Sequence, residues 1–174
     1  MSMELLTQPW WDKFYESEEA DRARRAHLEG VAFLLPWIAT IDSFQHWIYA
    51  NPGHSREERS EVWLSIRDKF GSEMDWTGHT DFRELSWQQQ GHLFGVPFYY
   101  IEYGIAQLGS LQLWKTQMSD PQKALDDYAN AMSLGNTRTL PELFSAADLE
   151  LGFDEGHFMS LLETVETALS ELPA

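Results

Sequence analysis

Near the middle of the chain, one short segment combines a histidine, three tyrosines and a glutamate with a turn that contains glycine and proline. Tyr100 and Tyr103 are three residues apart, so on a helix they would share a face, and the same holds for Tyr99 and Glu102. The phenol O–H groups and the imidazole N–H of His92 are donors that together could hold a developing oxyanion. The same residues could instead fill an aromatic core helix whose hydroxyls bond the backbone, and composition alone favours that second interpretation.

A second pair, Asp42 and His46, has the four-residue spacing that brings side chains together on one helix. A carboxylate and an imidazole there could bind one metal ion, or the aspartate could simply orient the histidine ring. The H-E-x-x-H zinc-peptidase motif needs two histidines four residues apart, and none of the six histidines has that spacing. The sequence also lacks a phosphate loop, a G-x-S-x-G nucleophile elbow and a dinucleotide fingerprint.

Composition excludes several classes of partner and site. The 28 acidic and 12 basic side chains give a net charge of −16, which argues against binding to nucleic acid or to an anionic membrane surface. The absence of cysteine excludes disulfides, cysteine-ligated zinc and a thiol nucleophile. The longest apolar stretch contains Pro36 and is too short to span a bilayer, and no signal peptide opens the sequence. We therefore expect a cytoplasmic protein.

The elements that must position these residues are helices. Apolar residues recur at helical spacing along the sequence, and no segment alternates as a strand would. We therefore expect an all-α fold, an irregular bundle of about six to eight helices forming a single domain over residues 1–174. Helix starts are marked by a capping box from Ser55 to Glu58, by Asp120 ahead of a proline, and by Asp154.

Three features near the candidate residues bear on their positioning. Pro36 lies inside a long helical pattern and should kink or break that helix. Residues 91–97 should form a loop, because they contain two glycines and a proline. Gly104 and Gly109 lie inside the apolar helix that follows, where each costs about 1 kcal/mol relative to alanine, so close helix packing is the expected reason for them.

The run from His92 to Leu113, HLFGVPFYYIEYGIAQLGSLQL, resembles the C-terminal signature of oligoendopeptidase F-type zinc peptidases, which are relatives of thimet oligopeptidase. Segments at Met1–Leu6, Ile41–Pro52 and Ala124–Ala147 resemble the same family in the same order. The resemblance implies the C-terminal part of a large, mostly helical, zincin-like fold with a deep channel. It also implies a short peptide as the substrate.

In that family the two histidines of H-E-x-x-H and a later glutamate hold zinc, and the glutamate of the motif acts as the base on a zinc-bound water. A downstream histidine and tyrosines bind substrate and stabilise the tetrahedral intermediate. By resemblance His92 matches that histidine, Tyr100 and Tyr103 are the best matches for the tyrosines, and Tyr99 is the fallback.

The resemblance also implies what this chain lacks. The family's zinc ligands and catalytic glutamate would lie upstream of Met1, so we expect no zinc on this chain alone and no activity alone. The chain would then be an excised domain, a truncated product or one half of a split enzyme whose partner carries H-E-x-x-H. Apolar surface left uncovered would favour a homodimer. Two other hypotheses stay open, namely a non-catalytic helical protein that binds a partner helix or peptide in an aromatic groove, and a small-molecule sensor.

Overall fold

The computed structural model describes residues 1–173, which form helices and no strand, and the predicted all-α fold is confirmed. The α-helices are α1 (Ser2–Thr7), α2 (Ser17–Ala50), α3 (Arg56–Phe70), α4 (Thr80–Leu85), α5 (His92–Gly95), α6 (Ile101–Ser119), α7 (Pro121–Ser133), α8 (Leu140–Ala146) and α9 (Glu155–Glu171), with 3-10 helices at Gln8–Lys13 and Ser86–Gln89. The structure adds one helix to the predicted six to eight, because α5 is a single turn within the segment predicted to be loop. None of the helices within residues 1–173 combines the length and the apolar character that a membrane-spanning segment needs.

The predicted capping residues begin their helices as expected. At the start of α3, the Ser55 backbone N–H donates to Glu58 Oε2 over 2.7 Å, and the Glu58 N–H donates to Ser55 Oγ over 3.1 Å. The side chains of Asp120 and Asp154 each accept from the backbone N–H three residues later, over 3.0 and 3.1 Å. These bonds satisfy donors that the first turn of a helix leaves without a partner, which is why the starts of α3, α7 and α9 could be read from the sequence.

Helix α2 continues without interruption through Pro36, so the prediction that Pro36 could break the helix is wrong. Proline lacks the N–H that would bond the carbonyl four residues earlier, which removes one backbone hydrogen bond. Apolar residues on both sides of it are buried, among them Val31 before the proline and Ile41 and Phe44 after it. Burial at about 1.5–3 kcal/mol for each side chain outweighs the ~3 kcal/mol that an internal proline costs.

Contacts between residues divide the chain into two units. The first unit consists of Met1–Ala32 and the part of the chain from Ile105 onward. One core cluster of this unit contains Leu5, Leu28, Val31, Leu108, Leu111, Trp114, Leu161 and Val165, and another contains Leu6, Leu113 and Ala124. The prediction of a single domain over the whole chain stays a prediction.

The second unit, Phe33–Gly104, contains every candidate residue named above. Its core is mostly aromatic: Phe44, Trp63 and Trp87 are buried, together with Ile41. The ring centres of Phe44 and Trp63 are 4.9 Å apart, and those of Phe44 and Trp87 are 5.7 Å apart. Each large ring buries much apolar area, so this core should stabilise the unit that carries the candidate site.

Two glycines of α6 differ in how closely their neighbours approach. A β-carbon at Gly109 would lie 3.1 Å from Cζ of Phe144, which is closer than ordinary van der Waals contact. At Gly104 the nearest atom would be Cγ2 of Ile38 at 3.5 Å, an ordinary contact. The expected close packing is confirmed at Gly109, whereas Gly104 has room for a methyl group.

Because alanine is favoured over glycine within a helix, Gly104→Ala is expected to raise the free energy of unfolding by about 0.5–1 kcal/mol. At Gly109 the contact with Phe144 offsets the same gain, so Gly109→Ala should stabilise the chain less or destabilise it. Urea denaturation of both variants and the parent chain measures the difference. Equal stabilisation at the two positions would contradict the close approach at Gly109.

Candidate functional site

The structure brings together His92, Tyr99, Tyr100 and Tyr103, the four residues that the resemblance singled out. His92 is the first residue of α5, Tyr103 is the third residue of α6, and Tyr99 and Tyr100 lie in the turn between these helices. The centre of the His92 ring is 5.0 Å from that of Tyr100, 5.7 Å from that of Tyr103 and 6.1 Å from that of Tyr99. We call these four residues the His–Tyr cluster.

The reason for this proximity differs in part from the one predicted. Helix α6 begins at Ile101, so Tyr99 and Tyr100 precede it and do not share a helical face with residues inside it. A turn instead brings Tyr100 next to Tyr103, because the Tyr103 N–H donates to the Tyr100 carbonyl over 3.2 Å. The rings of Tyr100 and Tyr103 meet edge-on at 5.2 Å, and Glu102 points to solvent as an exposed residue.

Two hydrogen-bond contacts determine which nitrogen of a neutral His92 ring carries the proton. Gln90 Nε2 lies 2.7 Å from Nδ1 of His92, and Nε2 of His92 lies 3.2 Å from the Tyr103 hydroxyl oxygen. The amide nitrogen of glutamine can only donate, so Nδ1 accepts and the ring proton of neutral His92 sits on Nε2. His92 then donates to Tyr103, which leaves the Tyr103 hydroxyl proton free for a further acceptor.

Tyr100 also keeps its proton. Burial raises the pKa of Tyr100 above its ordinary value of 10.0, and the nearby polar groups of Trp37 and Gln90 oppose this shift only in part. At neutral pH the phenol is therefore a neutral group that can donate. Two tyrosine hydroxyls and one imidazole N–H thus lie within one cluster, and Tyr99 beside them is 47% exposed.

Sequence reasoning missed one residue that shapes the turn. Phe98 has a φ of 58°, the left-handed conformation that residues with a side chain rarely adopt. Its N–H donates to Oε1 of Gln45 over 2.9 Å, and Gln45 on α2 is only 1% exposed. The Phe98 ring packs against His46 and Tyr49, with 4.9 Å between ring centres in both cases. Gln45 directly follows the apolar Phe44 on the helical pattern of α2, but polar residues such as Asp42 and His46 lie beside it, so the sequence contains no clear signal for this contact.

Asp42 and His46 lie close together but do not form a metal site by themselves. Asp42 Oδ2 is 3.6 Å from His46 Nε2, and the His46 side chain is 66% exposed. This geometry fits the interpretation in which the aspartate orients the histidine. Among residues 1–173, no three His, Cys, Asp or Glu side chains are grouped so that they could hold a metal ion. The described residues therefore do not fit a zinc centre, which needs at least three protein ligands.

Comparison with known proteins identifies the wider group to which the chain belongs. The sequence profile of peptidase family M3 matches residues 2–160. The curated proteins compared with the chain include no significant match.

Solved structures give the same result. A crystal structure assigned as oligoendopeptidase F is 36% identical to this chain, with a TM-score of 0.89. The alignment covers 98% of this chain and 30% of that one. PZ peptidase A with an inhibitor gives 32% identity, a TM-score of 0.89 and the same coverage. A Bacillus anthracis protein assigned as oligoendopeptidase F gives 33% identity and a TM-score of 0.77, over 98% of this chain and 27% of that one.

The chain thus spans about 30% of the length of the first two of these structures. The predicted resemblance to the C-terminal part of an oligoendopeptidase F-type protein is confirmed. Because the profile covers most of the sequence, the chain belongs to peptidase family M3.

Proposed function

We propose that this chain is the substrate-binding portion of an oligoendopeptidase F-type zinc peptidase that hydrolyses short peptides, and that it is inactive alone. The observation that carries the proposal is the His–Tyr cluster, in which His92 donates to Tyr103 and leaves the Tyr103 proton available. Donors fixed in place before the reaction stabilise a charge that develops on a peptide carbonyl oxygen, because they need not reorient as it forms.

Each member of the cluster has a proposed role. Tyr103 and Tyr100 donate hydrogen bonds to the oxygen of the scissile carbonyl, and His92 orients Tyr103. Tyr99 is exposed and offers an aromatic face beside the donors, against which a flat peptide group can stack. Gln90 contributes by fixing the His92 tautomer.

The metal chemistry of the family would be supplied by other residues. Because residues 1–173 contain no grouping that fits zinc, we assign no step of the reaction to a metal held by this chain. We propose that the H-E-x-x-H ligands come either from a separate chain or from the rest of a longer protein. A homodimer through exposed apolar residues, and a cytoplasmic location, also remain proposals.

One observation favours a second candidate function. Phe94, Val96 and Phe98 are all exposed around the turn between α5 and α6, although they are apolar. Such a surface could bind a partner helix or peptide without any catalysis. This alternative predicts that the three apolar residues, and not the tyrosine hydroxyls, determine affinity for a peptide.

The purified chain should not hydrolyse a short peptide when zinc is added, but it should bind that peptide weakly. Binding can be followed by NMR through the ring signals of His92 and the tyrosines. Tyr103→Phe should weaken binding, whereas the same substitution at exposed Tyr15, outside the cluster, serves as the matched control. Robust hydrolysis by the chain alone would disprove inactivity, and unchanged binding by Tyr103→Phe would favour the interaction protein.

A further inference from the structure

Helix α3 carries an arginine whose charge has no partner among the described residues. The Arg67 guanidinium carbon lies 5.1 Å from the ring centre of Trp37, 5.8 Å from that of Trp63 and 5.9 Å from that of Trp76. Contacts at these distances are cation–π interactions, which hold the guanidinium in place without neutralising it. The result is a positive group surrounded by three indole rings.

The nitrogens of Arg67 lack the acceptors that such groups normally have. Its Nε is sealed from solvent and has no hydrogen-bond partner, which is rare for a buried N–H. Within residues 1–173, no carboxylate lies within 4.0 Å of Arg67, and the adjacent Asp68 pairs with Arg83 instead. The two terminal nitrogens also make no hydrogen bond within that range but, unlike Nε, are not sealed from solvent.

A second arginine adds positive charge near Arg67 and so favours the binding of an anion there. Arg83 also has a buried Nε without a partner, and only one of its terminal nitrogens pairs with Asp68. Burial, and then repulsion by Arg83, lowers the pKa of Arg67 below its ordinary value. An anion bound to Arg67 would relieve both effects, because it replaces lost hydration and screens the like charge.

We propose that Arg67, within the three tryptophan rings, is a binding site for a carboxylate. A carboxylate carries a single negative charge, which matches the charge of Arg67, the member of the Arg67–Arg83 pair that has no carboxylate partner within residues 1–173. Its two oxygens fit the two terminal N–H groups of Arg67, which solvent can reach, in the plane of the guanidinium. A phosphate dianion fits less well, because Asp68 adds a negative charge beside the arginines. This proposal stands on its own and does not depend on the peptidase role of the His–Tyr cluster.

The carboxylate could come from the C-terminus of a peptide or from an aspartate or glutamate side chain. The same helix offers a matched control for either source. The Arg59 guanidinium carbon lies 5.4 Å from the ring centre of Trp87, but its Nε donates to Nε2 of His54 over 2.8 Å. Arg59 thus shares the cation–π contact with Arg67 and lacks the unpaired N–H.

The test uses the ¹⁵N-labelled chain and follows the Nε–H signals of its arginines by NMR. The buried Nε–H of Arg67 should be visible, and it is assigned by its loss in Arg67→Lys. Sodium acetate and acetyl-trialanine with a free carboxyl group should shift this signal in a saturable way, whereas acetyl-trialanine amide should not. An amidated peptide with one internal aspartate distinguishes the two sources, since its binding requires only a side-chain carboxylate.

Arg67→Met has no Nε–H of its own, so acetate binding to this variant and to the parent chain is followed through the indole N–H signals of Trp37 and Trp76, whose rings lie beside Arg67. Arg67→Met keeps the aliphatic stem and should raise the apparent Kd for acetate at least about tenfold, whereas Arg59→Met should leave it unchanged. If Arg67→Met does not fold, Trp76→Leu tests the same site and should weaken binding as well. The proposal is overturned if acid and amide peptides behave alike, if Arg59→Met weakens binding equally, or if inorganic phosphate binds more tightly than acetate.

Discussion

Trp63→Ala is expected to lower the free energy of unfolding by about 3–5 kcal/mol, the largest stability effect that we predict for this chain. The Trp63 side chain is fully buried and contacts the rings of Phe44 and Trp37. Its indole N–H donates to the Arg83 carbonyl over 2.9 Å and to the Ser86 hydroxyl over 3.2 Å. Truncation would therefore leave a large cavity and remove one hydrogen bond from each acceptor, although the Arg83 carbonyl would keep its bond from the Ser86 hydroxyl.

Urea denaturation, followed by far-UV circular dichroism, measures this change. Phe82→Ala is the control, because Phe82 lies in the same unit and is 69% exposed, so its loss should change the free energy of unfolding by no more than about 0.5 kcal/mol. Trp63→Phe should fall between the two. A loss below about 1 kcal/mol for Trp63→Ala would mean that the aromatic core does not depend on this ring.

The second large effect concerns turnover and follows from the proposed function. In an enzyme completed by joining this chain to the upstream part of PZ peptidase A, Tyr103→Phe should lower kcat by about 10²–10³-fold. The substitution removes only the hydroxyl that accepts a hydrogen bond from His92 Nε2 and that we propose donates one to the substrate. His92→Ala should lower kcat as well, because Tyr103 would lose the group that orients it.

Two controls separate catalysis from folding. Tyr15→Phe removes an exposed hydroxyl outside the cluster and should leave kcat unchanged. Urea denaturation of Tyr103→Phe should show a change of no more than about 1 kcal/mol, since a single half-buried hydrogen bond is lost. A Tyr103→Phe enzyme with nearly normal kcat would exclude the role assigned to this hydroxyl.

Local signals in the sequence predicted much of the fold. The starts of α3, α7 and α9 were readable because Ser55, Asp120 and Asp154 bond to N–H groups only three residues away. The expectation of a break at Pro36 was wrong for the opposite reason. Its local cost is real, but burial of residues far along α2 outweighs it, and that burial depends on tertiary packing.

The candidate site was predictable in its residues but not in its geometry. The resemblance and the spacing pointed to His92, Tyr100 and Tyr103, and the structure places their rings together. The contact of Gln90 with His92 and the set of rings around Arg67 could not be read from the sequence. Such contacts depend on how turns and separate helices meet, and no periodicity encodes them.

The hydrogen bond between Gln45 and Phe98 has a consequence for protein engineering. The two residues are 53 positions apart, yet the glutamine holds the backbone of the turn in a conformation that phenylalanine would otherwise avoid. Transplanting the turn alone into another scaffold would carry its side chains without their geometry. A working transplant has to include the distant glutamine, or replace Phe98 with a residue such as glycine that adopts this conformation without help.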